Sequence, residues 1–218
     1  MGLYVLFIEV EKSLSTFIDN FLILNNEHLT AETLYNLTIS LIDKHKDKCG
    51  YANPNALILY NKMKKWVCLY FAIFESCYSI EAMQKNVMEV SCHYSSVAVG
   101  NKLIQSDTLA MALHLHNEVS DVFLIDKQKL LLYNHPNPPE DGIIKMDIEK
   151  WLHLFQCDRA VVEEVLNKEY INQAERLKAL WALMGFDEAA VLYDIHDYDR
   201  LEIYNAEALE GFEVIKVP

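Results

Sequence analysis

A chain of 218 residues that is 52% apolar and 23% charged can bury a sizeable core, which excludes wholesale disorder. Its 6 glycines and 5 prolines are few, a balance that favours helices and short connections over a loop-rich β-sandwich. A formal net charge of −13, with Arg159, Arg176 and Arg200 as the only arginines, argues against a reader of nucleic acid or of anionic membrane.

In chain order, Leu3–Glu11 reads as a strand or as the buried start of a helix, because a short apolar run does not separate the two. Leu14, Phe17, Ile18, Phe21 and Leu22 then follow helical spacing. Thr30 is placed to cap a helix whose apolar side is Leu34, Leu37, Ile39, Leu41 and Ile42, with Gly50 as its stop. Asn53 before Pro54 opens a long apolar region, and Trp66–Phe74, apolar almost all round, reads as the most buried helix of the molecule. A further helix is expected over Ser106–Asn117.

The texture changes after that point. "DVFLIDKQKLLLYN" reads as two β runs about "DKQK", a hairpin near 121–133. Asn134–Gly142 holds three of the prolines and is the best loop or boundary in the chain. Asp147 and Asp158 each precede a helical pattern, another helix ends at Gly185, a short one follows from Asp187, and the closing "GFEVIKVP" reads as a strand. The expected fold is therefore α+β, predominantly α-helical, with a small β component made of the 121–133 hairpin and possible terminal strands. A larger helical unit over 1–133 and an acidic helical unit over 143–218 would be joined by loop 134–142, packed on each other or forming a single domain.

The five cysteines (Cys49, Cys68, Cys77, Cys92, Cys157) are odd in number and form no CxxC pair, which fits free thiols in a reducing compartment. The N-terminus lacks a basic stretch before its apolar run, and Trp66–Phe74 is half the length of a membrane span. The expectation is a cytoplasmic protein that does not enter a membrane. Lysine-rich, arginine-poor composition suits an AT-rich genome, as in many bacteria and their viruses.

Charge distribution carries the functional reading. Residues 1–110 hold 11 acids and 9 bases, whereas residues 111–218 hold 21 acids and 10 bases. Within 187–213 there are nine acids and one base, Arg200. Such a surface attracts a basic protein and repels nucleic acid. Asp187, Glu188, Asp194, Asp197, Asp199, Glu202 and Glu207 are the expected partner-binding residues of an inhibitor, immunity, antitoxin or anti-defence protein. The sequence has no GxxxxGK[ST], GxGxxG, GxSxG or HExxH, so the standard phosphate cradles and nucleophile elbows are missing and no cofactor is expected.

Three other readings rest on particular residues. His114, His116, His196 and Asp197, with Asp194 and Asp199, supply ligand types for a metal-dependent hydrolase or nuclease. The two-residue spacing of His114 and His116 does not converge on an ion if Ser106–Asn117 is a helix. Cys92 beside His93, and His153 four residues before Cys157, are the candidate thiol–imidazole pairs, the second requiring one continuous helix. Finally, "AERLKALWALMGFDEAAVLYDI" resembles the first two helices of the ubiquitin-associated domain: Met184, Gly185 and Phe186 match its loop, and Asp187, Ala189 and Ala190 the next turn. That resemblance implies that the loop docks on an apolar patch of a ubiquitin-like partner. The alternative is a glycine helix stop with Phe186 in the core.

Overall fold

The structure, a computed structural model, describes residues 17–45, 55–74, 79–104, 107–115, 119–186 and 211–218. The stretch Leu3–Glu11 and the helix expected after Asp187 lie outside the described residues. The expectation of a predominantly helical chain is overturned, because the core is one eight-stranded, wholly antiparallel sheet of order β7-β6-β5-β4-β1-β3-β2-β8. The strands are β1 (Phe17–Leu24), β2 (Ala56–Tyr60), β3 (Trp66–Phe71), β4 (Ala98–Ile104), β5 (Thr108–Leu115), β6 (Val119–Ile125), β7 (Ile143–Ile144) and β8 (Glu213–Val217). The helices are α1 (Ala31–Lys44), α2 (Ile80–Tyr94), α3 (Ile148–Trp151), α4 (Arg159–Asn167) and α5 (Gln173–Leu183).

Three of the expected helices are strands. Trp66–Phe71 is β3, buried at every position between β1 and β2. A strand covered on both faces has no polar alternation, so its pattern matches that of a buried helix. Thr108–Leu115 is β5 despite its Ala, Met and Leu content, because pairing on both sides with β4 and β6 outweighs weak intrinsic helix propensity. Phe17–Leu24 is β1, the strand between β3 and β4. The hairpin expected at 121–133 is half present. Its first run is β6, but its second turns away, because the buried Asp126 carboxylate accepts the backbone N–H groups of Leu130, Leu131 and Leu132 at 2.7–3.1 Å. The partner of β6 is β7, after the loop.

Elements β1-α1-β2-β3-α2-β4, with sheet order β4-β1-β3-β2, form two interleaved split βαβ units, the ferredoxin-like connectivity. β5, β6 and β7 extend the sheet on one side and β8 on the other. Alternating residues then divide into two cores. Phe21, Ile23, Ile58, Leu69, Ala98 and Ala112 face α1 and α2, which present Leu34, Leu41, Met83, Val87 and Val90. Leu22, Leu57, Cys68, Val99, Met111 and Phe123 face the opposite side, which Trp151, Val162, Leu177 and Trp181 of α3–α5 cover. Gly100 lets α2 lie close on β4: a Cβ there would stand 2.3 Å from Val87 Cγ2. Among the described residues no helix is long and apolar enough to cross a membrane.

Candidate functional site

The two helices that cover one face of the sheet leave a groove on their outer side. Each is started by a side-chain cap: Thr30 Oγ1 accepts from Thr33 N–H, and Ser79 Oγ accepts from Ala82 N–H. Their apolar stripes turn to the sheet, and direct contacts hold them together. Thr38 donates its hydroxyl to Leu34 O at 2.7 Å, so the 2.6 Å contact between Thr38 and Tyr94 is donated by the tyrosine. His93 Nε2 lies 2.7 Å from the carbonyl oxygen of Leu37, which only accepts. Nε2 therefore carries a proton, and in the neutral ring Nδ1 is left as an acceptor.

On the exposed side of α2, Lys85, Met88 and Cys92 stand three and four residues apart and share one face. With Lys44, Glu89 and His93 they line a groove of about 430 Å³. Glu89 Oε1 accepts from Lys44 Nζ at 2.5 Å and from His45 Nε2 at 2.8 Å. Partial burial pushes the Glu89 carboxyl upward, but hydrogen bonds and charge from Lys44 and His45 outweigh it and hold the group below the ordinary glutamate value. Glu89 is thus drawn toward the end of α1. Lys85, exposed and four residues earlier on the same face, makes no ion pair among the described residues. The groove combines apolar surface from Met88, 46% exposed, with two ammonium groups matched by a single carboxylate that is already engaged.

The acidic residues expected to bind a partner, Asp187, Glu188, Asp194, Asp197, Asp199, Glu202 and Glu207, lie outside the described residues, as do His116 and His196. His114 is on β5, an extended strand rather than the expected helix, and is 8% exposed with Nδ1 3.1 Å from Ser91 Oγ. Among the described residues no three His, Cys, Asp or Glu side chains gather as metal ligands. Cys92 is exposed on the groove, while His93 is tied to α1. His153 and Cys157 do not share a helix: α3 ends at Trp151, a single 3-10 turn follows to Leu154, and Phe155 is extended. Burial lowers the His153 pKa, assisted by Lys65, and burial with nearby Asp158 raises that of Cys157. A raised thiol pKa disfavours the thiolate.

In the Met184-Gly185-Phe186 loop, Met184 and Phe186 turn inward and Gly185 is exposed. Gly185 has φ +68°, Phe186 N–H returns to Trp181 O at 2.9 Å, and Trp66 Nε1–H donates to Met184 O at 2.9 Å. Met184 is fully buried and Phe186 is 9% exposed against Trp181. Met184 and Phe186 of the loop that matches the ubiquitin-associated domain are therefore packed into the core, while Gly185 between them is exposed.

The groove itself went unnoticed in the sequence. Its only signal was Met88 and Cys92 falling on the polar side of α2, opposite Met83, Val87 and Val90, a pattern that is visible only once the buried side is known. No family model, no curated protein and no solved structure matches this chain.

Proposed function

We propose that this protein is an acidic interaction module that binds and blocks a basic protein, in the manner of an inhibitor, immunity or anti-defence protein, in the cytoplasm. The observation that carries the reading is the net charge of −13, concentrated so that residues 187–213 hold nine acids and one base. A negative surface of that density steers a cationic partner into encounter and opposes nucleic acid.

The test is native mass spectrometry of the full chain isolated from its own host at low salt. Beside it stands a variant with Asp194, Asp197, Asp199, Glu202 and Glu207 changed to the corresponding amides. The expected result is a stoichiometric basic protein, released by salt and absent from the variant. A bare chain, or a partner retained equally by the variant, overturns the reading.

A further inference from the structure

On an otherwise acidic chain, the α1–α2 groove is a local exception. Among the described residues Glu89 is its only carboxylate, and its charge is already matched by Lys44 and His45. Lys44 has three N–H donors and uses one on Glu89, and its side chain is 62% exposed. Lys85 offers a second ammonium group on the same groove with no ion-pair partner among the described residues. The thioether of Met88 and the thiol of Cys92 line the same groove, both exposed and both apolar in character. The volume, about 430 Å³, falls within the roughly 300–1,000 Å³ of small-ligand sites.

We infer that this groove binds a small amphiphilic anion, with its carboxylate or similar head group between Lys44 and Lys85 and its apolar tail along Met88 and Cys92. Charge complementarity selects the occupant. A neutral apolar molecule would leave Lys85 unpaired, and a purely hydrophilic anion would gain nothing from covering Met88. His93 also lines the groove, its ring held by the contact of Nε2 with the Leu37 carbonyl. The inference is independent of the acidic partner surface, since it involves none of residues 187–213.

Cys92 supplies the readout. Octanoate, kept below its micelle concentration, is the probe, and 1-octanol is its uncharged counterpart. Iodoacetamide alkylation of the native chain is followed by peptide mass spectrometry, with partly buried Cys157 as the internal control. With octanoate at about ten times its Kd, Cys92 alkylation is expected to slow about tenfold, Cys157 is unchanged, and octanol at equal concentration protects little. Lys85→Glu, an exposed change expected to leave the thermal midpoint unaltered, removes the protection, and Lys85→Arg restores it. Equal protection by octanol overturns the inference, because the cations would then play no part. So does full protection in Lys85→Glu, or an unchanged Cys92 rate at the highest octanoate concentration.

Discussion

On the α3–α5 side of the sheet, three tryptophans fasten helix-side chain segments to strands by directed hydrogen bonds. Trp181 Nε1–H donates to Asn101 of β4 at 3.1 Å, Trp151 Nε1–H to Asp121 of β6 at 2.7 Å, and Trp66 Nε1–H of β3 to the carbonyl of Met184 at 2.9 Å. On the α1–α2 side the hydrogen bonds of Thr38, Tyr94 and His93 run mainly from helix to helix. There the helices meet the strands through the 3.1 Å contact between Ser91 of α2 and His114 of β5 and, more widely, through shape. Val87 of α2 sits over Gly100 of β4, and beneath the helices Phe21 of β1, Phe71 of β3 and Phe74 of the turn after β3 pack edge to face with centroids 5.4–6.0 Å apart. One layer is tied to the strands by three indole hydrogen bonds, and the other rests more on fit. The layer that rests more on fit is also the one whose outer surface carries a ligand-sized groove.

The largest effect that would test this contrast is Trp181→Ala. It removes a fully buried side chain and leaves Asn101, which also bonds Asn20 at 2.9 Å, without its indole donor. The expected loss is about 3–5 kcal/mol in urea unfolding. A loss below about 1 kcal/mol would show that the tryptophan side is not tightly seated.

The opposite side is probed by Gly100→Ala, expected to cost about 1–3 kcal/mol by overpacking against Val87. Adding Val87→Ala should make the double variant less destabilised than the sum of the single changes, because the second change vacates the space the first needs. Strict additivity in a double-mutant cycle would mean that α2 shifts as a body, and that fit does not position it.

The smallest effect concerns the groove. Glu89→Gln should cost about 0–1 kcal/mol at neutral pH, since Lys44 is largely exposed. The folded-state pKa of Glu89 is depressed, so its contribution is full above the unfolded glutamate pKa and is lost as pH falls through the folded value. The stability curves of the native chain and the variant should therefore converge on acidification. Curves that stay parallel down the acid limb would remove the Lys44–Glu89–His45 cluster as a stabilising unit.

Elements with local markers were legible in the sequence. Thr30 before α1, Gly185 after α5 and the β-rich "EVIKV" of β8 each carry a cap, a stop or a propensity that holds without tertiary context. β3 and β5 were not legible, because strands buried on both faces lose the alternation that marks a strand, and only their neighbours make them strands. Asp126 reads as an ordinary turn acid until the structure shows its carboxylate collecting three backbone N–H groups. For the groove, Lys85 and Glu89 look like an intrahelical ion pair at i, i+4, and only the approach of α1 shows that Glu89 is taken elsewhere.

The interleaved connectivity also sets an order of events during folding. β1 is early in the chain, yet both its neighbours come much later: Phe21 lies opposite Leu69 on one side and Gly100 on the other. Its apolar edges therefore stay uncovered until two helices and three more strands have been synthesised. β2 waits longer still for β8, with Leu57 opposite Lys216. Long sequence separation between paired strands slows folding and prolongs the exposure of sticky edges. The strand edges of β1 and β2 thus stay unpaired until partners far along the chain reach them.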